Sequence, residues 1–422
     1  MVEETFLSDD FLRELINVGE VDILIGVPTH NNAATIEPVI QAIQAGILKC
    51  FPRERAAIIN ADGGSRDGTR DLFAAATISD VRHASKLYTL RTLHSISANY
   101  GNVLDGGMAL RTILAASELL RAKACVVISP DSTTIEPDWV QRLAIPIYKD
   151  NFDLVTPLYR RHKFEGLLMR NLLYPMTRAV YGYAIREPYA AEFAVSDRLV
   201  TDFLGSETWD NELDRIGPEM CLTTRAISAD FRVCQSFLGT KAPTDGTSTD
   251  LVSAMRRTAG VLFASIDKQF STWSTNSSTH EIKTFGSPAE VNLEPVSVDR
   301  KRLYEMFVTG VAELHPVFRS ILSSTTLEEL QRIAAVGDNE FKYSAELWAK
   351  TAYEFAGSYH KSVINRDHII QALVPLYRGR TLSFIAENEH SSAERIENNV
   401  ESQCVEFERL KPYLLQVWNG GK

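Results

Sequence analysis

Short apolar runs alternate with amphipathic segments in the first half of the chain, and this alternation restricts the possible folds more than any other feature. Strand-length apolar runs occur at five places, residues 21–28, 56–60, 87–90, 124–130 and 153–159. Helix-length segments separate most of them. Because strands that alternate with helices build βαβ units, the pattern predicts an α/β, Rossmann-like fold whose mostly parallel sheet is flanked by helices.

Helical periodicity dominates the second half. Residues 167–227 are interpreted as mostly helical, one late strand is predicted at 231–239, and a Ser/Thr-rich loop is expected at 271–298. The predicted C-terminal helices are 302–322, 327–335, 344–358, 366–377 and 391–415. We therefore predict a sheet-containing domain at 1–245 and an all-helical domain at 246–422.

Composition excludes several classes of protein. The 422 residues carry 44 Lys and Arg against 54 Asp and Glu, a net charge of −10, which disfavours a nucleic-acid binder because such proteins neutralise phosphates. The five cysteines are widely spread with no CxxC pair, as in a protein with reduced thiols. There is no apparent export signal and no apolar run of membrane-spanning length, so a cytoplasmic protein without a transmembrane segment is expected.

Three polar clusters follow predicted strands, where ligands bind in open parallel sheets. They are 28–32 (PTHNN), 62–69 (DGGSRDGT) and 131–133 (DST). Asp62 could accept a hydrogen bond from a base N–H, and Asp131 could meet a diphosphate, a metal ion or a sugar hydroxyl. The alternative is that the glycine-rich segment is only a tight turn in which Ser65 or Asp67 caps a helix.

The order of these clusters resembles the nucleotide-sugar-dependent glycosyltransferases of the GT-A fold. Segments 107–114 (GMALRTIL), 186–196 (REPYAAEFAVS) and 217–227 (GPEMCLTTRAI) are similar to enzymes that make glucosylglycerate, glucosyl-3-phosphoglycerate and mannosylglycerate. LVPLYRGRTLSFIAE and FERLKPYLLQVW resemble the helical C-terminal region of glucosylglycerate-synthase-like proteins. The resemblance therefore spans nearly the whole chain.

This resemblance implies transfer of glucose or mannose, with retention, from a UDP- or GDP-linked donor to a small hydrophilic acceptor such as glycerate. Domain 1–245 would bind both substrates. The implied nucleotide-sugar-binding residues are Pro28, Thr29, Asn31, Asp62, Gly63, Gly107, Asp131 and Ser132, and the implied catalytic residues are Asp131, Glu192 and Lys241. A homodimer is also expected, because the C-terminal helices are apolar.

Three departures from the family pattern fall on residues that are expected to bind the diphosphate or its metal ion. The Asp-x-Asp metal motif reads Asp131-Ser132-Thr133, Pro243 stands where a metal-binding histidine is expected, and Gly106 stands where lysine is frequent. With Asp131 as its one carboxylate, this motif is a poor binding site for a metal ion, so Mg²⁺ or Mn²⁺ is a possible cofactor but not a required one.

Cationic side chains could replace the metal at the diphosphate. The candidates are Lys241, Arg160, Arg161, His162 and Lys163, although 159–163 (YRRHK) could equally be a solvated basic turn. Glu219 is a further diphosphate or acceptor candidate, and its alternative role is to favour the dipole of the following helix.

Two broader alternatives remain open at this point. Glu192 could position the acceptor, or it could be exposed or ion-paired with Arg186. The chain as a whole could be a non-catalytic nucleotide-sugar sensor or scaffold, because the three departures all weaken the handling of a diphosphate.

Overall fold

A computed structural model describes residues 7–76, 93–99, 106–210, 215–241, 250–276, 279–287 and 298–420, of which 93–99 are described by their backbone. Contacts divide the chain into two compact units. The sheet unit comprises Met1–Arg160, Ala190–Ala242 and Ile282–Val291, and the helical unit comprises Arg161–Tyr189, Pro243–Glu281 and Asn292–Lys422. Residues 161–189 thus pack with the helical unit, while the division into functional domains at residue 245 stays a prediction.

The sheet unit contains an eight-stranded sheet in the order β3-β2-β1-β4-β6-β5-β7-β8. Its strands are β1 (Ile23–Thr29), β2 (Ala56–Asp62), β3 (Leu93–Asn99), β4 (Ala124–Val127), β5 (Leu154–Arg160), β6 (Phe193–Ser196), β7 (Val233–Thr240) and β8 (Thr284–Phe285). Strand β6 runs antiparallel to both of its neighbours, and the other pairs are parallel. The predicted α/β fold with a mostly parallel sheet is confirmed.

The directions of the strands bring the polar segments that follow or precede them to one edge of the sheet. The parallel strands end at this edge, and β6 begins there, because Phe193 pairs with Val127 at the end of β4. The prediction missed β6, which lies in a segment interpreted as mostly helical. It also missed β8, which lies in the predicted loop. The predicted strand at 87–90 falls outside the described residues, and the third strand observed is β3.

Helices cover the sheet. Those of the sheet unit are α1 (Asp9–Val18), α2 (Ile36–Cys50), α3 (Thr69–Ala76), α4 (Gly106–Leu119), α5 (Asp138–Tyr148), α6 (Asp197–Leu204) and α7 (Pro218–Ser228). One apolar cluster joins the sheet to α2 and α5, with Ile25, Val126, Ile40 and Trp139 each at most 1% exposed. Burial of these side chains is the main contribution to the stability of this layer.

The helical unit owes its helix boundaries largely to capping residues. Asp250, Asp299, Ser323, Ser344, Asn365 and Ser392 each accept a backbone N–H from the first turn of the following helix. Its α-helices are Tyr174–Tyr181, Leu251–Met255, Val261–Lys268, Phe270–Trp273, Arg300–Glu313, His315–Ile321, Ser324–Ala335, Ala345–Lys361, Arg366–Asn388, Ala393–Arg409 and Lys411–Trp418. Two π-helical turns, Met169–Leu173 and Arg256–Gly260, adjoin them.

Three of the predicted C-terminal helices were wrong in extent. The predicted helices at 302–322 and 391–415 are each two helices, whereas Arg366–Asn388 extends well beyond residue 377. This long helix continues through Pro375 and Gly379 because it packs closely on Arg300–Glu313, where a Cβ on Gly310 would lie 2.3 Å from Pro375 Cβ. A search of the described helices finds none with the length and apolar character to cross a bilayer.

Candidate active site at the carboxyl edge of the sheet

Hydrogen bonds join the turns that follow β1 and β2. Asn31 has a left-handed backbone, with φ of 56°. Its N–H donates to Ser65 Oγ at 2.9 Å, and its Oδ1 accepts from the Arg66 N–H at 2.9 Å. The Asn32 N–H donates to Thr69 Oγ1 at 2.8 Å. The two polar clusters predicted separately therefore form one interlocked structure.

Asp62 holds the second turn in place. It is fully buried, and its Oδ1 accepts from the N–H groups of Gly64 and Ser65 at 3.0 and 2.9 Å. Its Oδ2 accepts from Ser65 Oγ at 2.6 Å and lies 2.9 Å from Thr29 Oγ1. These contacts fill the roughly four hydrogen-bond acceptor sites that a carboxylate offers. Asp62 thus shapes the turn, and its contact with a nucleobase stays a prediction.

Thr29 links the same turn to the sheet. Its Oγ1 lies 2.7 Å from Asn60 Oδ1 as well as 2.9 Å from Asp62 Oδ2, so two buried acceptors share one hydroxyl proton. The Gly63 N–H donates to the Thr29 carbonyl at 2.8 Å. Pro28 is half-buried one residue earlier on β1. Pro28, Thr29, Asp62 and Gly63, four of the predicted nucleotide-sugar-binding residues, are therefore brought together.

Asp131 follows β4 and reaches the first turn. Its Oδ1 accepts from Asn32 Nδ2 at 2.8 Å and from Thr35 Oγ1 at 3.1 Å. Asp131 is exposed, and no described residue donates to its Oδ2. The carboxylate is therefore fixed in orientation through one oxygen and can accept from a ligand through the other.

Glu192 is the centre of a buried cluster. It precedes β6 and is fully buried. Ser132 Oγ donates to its Oε1, while Tyr159 OH and Lys241 Nζ donate to its Oε2, the lysine at 2.7 Å. Ser132 lies in the segment after β4, Tyr159 lies near the end of β5, and Lys241 directly follows β7. Glu192 is thus neither exposed nor paired with Arg186, which contacts Glu397 and Glu401 in the helical unit.

The charge of Glu192 is stabilised despite its burial. Burial alone would raise the pKa of this carboxyl, but the Lys241 ammonium and the hydrogen bonds from Lys241, Ser132 and Tyr159 outweigh it and lower the pKa. Lys241 and Glu192 form an ion pair that is buried, since the lysine side chain is 17% exposed and the glutamate side chain 0% exposed. The cluster therefore presents a cation at the edge with a carboxylate directly behind it.

A β-bulge positions Lys241. The register between β5 and β7 shifts after Leu158, so that Tyr159 pairs with Gly239. Gly239 has φ of +99°, a conformation that glycine adopts readily. Bulges of this kind redirect side chains and are frequent beside active sites. Here the redirected strand brings Lys241 Nζ to 4.9 Å from the Tyr159 ring centre.

Two other predicted residues have structural surroundings. Gly107 is buried in the first turn of α4, where a Cβ would lie 2.3 Å from the Arg215 carbonyl oxygen. Glu219 lies in the first turn of α7, where its charge favours the helix dipole. The close contact explains the glycine at position 107 without a ligand, and the ligand roles of both residues stay predictions.

The basic run 159–163 divides between the two units. In the sheet unit, Arg160 ends β5, and no described residue pairs with its guanidinium. In the helical unit, Arg161 forms a bidentate pair with Glu187 at 3.0 and 2.9 Å, and Lys163 Nζ donates to the Glu389 carbonyl. His162 is buried, and burial lowers its pKa. Arg161 and Lys163 thus already have partners within their own unit.

The described donors do not fit a divalent metal ion. Mg²⁺ and Mn²⁺ prefer several oxygen ligands, mostly carboxylates. Asp131 offers one open oxygen, the Ser132 hydroxyl is committed to Glu192, and Glu192 is paired with Lys241. Across the described ranges there is no group of three or more His, Cys, Asp or Glu side chains that could hold a metal ion. The steps proposed below therefore use the side chains of the chain itself.

Comparison with known proteins gives structural likenesses alone. No protein-family model matches the chain, and no curated protein matches it. A solved structure of glucosyl-3-phosphoglycerate synthase from Mycobacterium tuberculosis with Mn²⁺, UDP and glucosyl-3-phosphoglycerate is similar at 22% identity and a TM-score of 0.43, covering 61% of this chain and 83% of that chain. The same enzyme with Mn²⁺, UDP-glucose and phosphoglyceric acid is similar at 22% identity and a TM-score of 0.42, with the same coverage.

The crystal structure of a mycobacterial protein is similar at 20% identity and a TM-score of 0.41, covering 61% of this chain and 77% of that chain. The synthase belongs to the group that the sequence motifs resemble. Similarity at this level carries no argument about activity.

Tyr159 is the residue at this site that sequence reasoning missed. The sequence predicts it as the end of a strand before a basic turn, whereas its hydroxyl reaches Glu192 in the structure. Its ring packs 5.8 Å from that of Trp139. The available signal was its position at the end of a predicted parallel strand, where side chains face ligands.

Proposed function

We propose that the chain is a retaining glycosyltransferase that moves glucose or mannose from a UDP- or GDP-linked donor to a small polar acceptor such as glycerate. The observation that carries the proposal is the convergence of groups at one sheet edge. The interlocked turns after β1 and β2, the open oxygen of Asp131 and the Glu192–Lys241 pair all lie there. Retention and the choice of hexose come from the motif resemblance.

Each group has a defined part in the proposed reaction. The turn containing Thr29, Asn31 and Asp62 binds the nucleoside. Asp131 accepts a hydrogen bond from a sugar hydroxyl through Oδ2. As the bond between the anomeric carbon and the diphosphate breaks, the acceptor hydroxyl oxygen bonds to that carbon and its proton passes to the leaving diphosphate oxygen. The Lys241 ammonium stabilises the negative charge that develops on the diphosphate.

Glu192 completes this arrangement. Its carboxylate is fully buried; it stabilises positive charge on the anomeric carbon from behind Lys241, and it accepts from an acceptor hydroxyl once Lys241 shifts toward the diphosphate. Because Lys241 supplies the positive charge that a metal ion would otherwise provide, we propose that transfer proceeds in the absence of divalent metal. Arg160, the member of the basic run in the sheet unit, is a second candidate for the diphosphate.

The solution state is part of the same proposal. All five cysteines are free thiols, four of them buried, and this supports a reducing, cytoplasmic setting. We propose a homodimer from the apolar character of the C-terminal helices, and light scattering measures its mass.

Calorimetric titration with UDP, GDP and ADP, each with Mn²⁺ and with EDTA, tests the binding site. Tight binding of UDP or GDP in EDTA is expected, and binding that requires Mn²⁺ would contradict metal independence. Turnover of UDP-glucose, GDP-glucose and GDP-mannose is then followed with glycerate, with Asp131→Ala as the inactive variant and Lys49→Met as the surface control. Nucleotide binding without turnover of any donor would identify a sensor instead, and the anomeric configuration of the product tests retention.

A further inference from the structure

Tyr159 contacts both members of the buried ion pair. Its hydroxyl donates to Glu192 Oε2, the same oxygen that accepts from Lys241 at 2.7 Å. Its ring centre lies 4.9 Å from Lys241 Nζ, within the range of a cation–π contact. Tyr159 itself is 8% exposed and packs against Trp139. The ring is therefore a fixed support on which the carboxylate and the ammonium are both held.

The hydrogen-bonding capacity of the pair leaves room for ligands. A carboxylate offers about four acceptor sites, and three donors occupy Glu192. An ammonium offers three N–H donors, and within the described residues Lys241 Nζ donates to Glu192 alone. Two donors of Lys241 therefore remain for substrate groups, whereas the fourth acceptor site of Glu192 stays enclosed until Lys241 moves, because the glutamate side chain is 0% exposed.

An anion at Lys241 competes directly with Glu192. A diphosphate that binds the two remaining donors pulls the ammonium away from Oε2, because both anions attract the same charge. Ser132 holds the other oxygen, so the Tyr159 hydroxyl is the remaining contact that keeps Oε2 in place. Without it, a shift of Lys241 would leave Glu192 free to rotate about the Ser132 contact.

We infer that Tyr159 is a positioning residue that keeps the Glu192 carboxylate in its orientation while Lys241 is drawn to the leaving diphosphate. This inference rests on the proposed transferase function. It goes beyond that function, because it assigns the coupling of the two charged groups to a residue that need not contact either substrate.

Tyr159→Phe tests the inference, because it keeps the ring and removes the hydroxyl. We expect kcat for the donor that the wild type turns over to fall about ten- to a hundred-fold, the loss expected for one hydrogen bond to a charged group. The donor KM and the affinity for UDP or GDP should stay within about two-fold, because the Lys241 support remains. Tyr159→Leu removes the support as well, so it should weaken nucleotide binding about five-fold in addition.

Tyr148→Phe is the matched control. Tyr148 lies in the same unit, its ring centre is 5.3 Å from Lys123 Nζ, and it is not among the described residues that donate to Glu192, so the kinetics of the variant should equal those of the wild type. Ser132→Ala, which removes the donor to Oε1, is a second variant in case Tyr159→Phe does not fold, and the same selective loss of kcat is expected.

The outcomes separate the two proposals. A wild-type kcat in Tyr159→Phe would overturn the positioning role while leaving the transferase function intact. A fall in kcat accompanied by a comparable rise in KM and a lower Tm would do the same. Absence of turnover by the wild type with all three donors would overturn both.

Discussion

Removal of the Lys241 ammonium should destabilise the protein in a pH-dependent way. Lys241→Met keeps most of the side-chain volume and leaves Glu192, which is fully buried, without its cation. Breaking a buried pair by removing one partner costs about 3–5 kcal/mol. For a unit the size of the sheet unit, about 3 kcal/mol corresponds to a decrease of about 6–12 °C in Tm.

The sign of the pH dependence follows from Glu192. In the wild type its pKa is lowered, so the stabilisation is present at neutral pH and is lost as the pH falls through the lowered pKa. In Lys241→Met only the hydrogen bonds from Ser132 and Tyr159 still oppose the effect of burial, so we expect the pKa of Glu192 to rise above its value in the unfolded chain. Ionisation then opposes folding, so the difference in Tm between wild type and variant should widen from about pH 5 to pH 8.

Thermal unfolding of the full chain at several pH values measures this effect. Lys49→Met is the matched control, because Lys49 pairs with Asp138 at 2.8 Å but the two side chains are 64% and 39% exposed, so its removal should barely change Tm. Adding Glu192→Gln to Lys241→Met should restore much of the stability at pH 8. A Tm difference that is small, or equal at pH 5 and pH 8, would refute the assignment of a charged buried pair.

Three further predictions concern the turns and the neighbouring helix. Thr29→Val leaves two buried acceptors without their shared proton and should cost about 1–3 kcal/mol in chemical denaturation; unchanged stability would mean that the hydroxyl is not shared as described. Gly107→Ala should cost about 1–3 kcal/mol because its Cβ would collide with the Arg215 backbone, whereas Gly205→Ala, 3.6 Å from its nearest neighbour, should cost less. Asp131→Asn should lower donor turnover about a hundred-fold with little change in Tm, because one oxygen keeps its protein contacts; equal losses of both would indicate a structural role.

The parallel part of the sheet could be predicted because its strands are short continuous apolar runs. Burial on both faces requires such runs, and 56–60 and 124–130 are examples that the structure places at β2 and β4. Strand β6 could not be predicted in the same way. It has four residues, and its identity as a strand depends on pairing with β4 and β5, which are distant in sequence.

The candidate site was predicted in its residues more than in its contacts. Asp62 and Asp131 were predicted because polar residues after parallel strands face one edge. That Asp62 would be saturated by its own turn follows from the turn conformation, which the residue types alone do not determine. The partnership of Glu192 with Lys241 depends on the direction of β6 and on the bulge in β7.

Because β6 runs in the reverse direction, sequence changes around Glu192 and sequence changes in the turns after β1 and β2 fall in separate segments of the chain. Groups from the parallel strands enter the site from segments that follow a strand, whereas Glu192 enters from the segment that precedes one. Insertions or substitutions just upstream of residue 192 can therefore reshape the surroundings of the carboxylate without changing the hydrogen bonds between the turns after β1 and β2. If Glu192 binds the acceptor as proposed, Ala190 and Ala191 are the residues to diversify first when a new acceptor is wanted, because Arg186 and Glu187 are held in ion pairs within the helical unit.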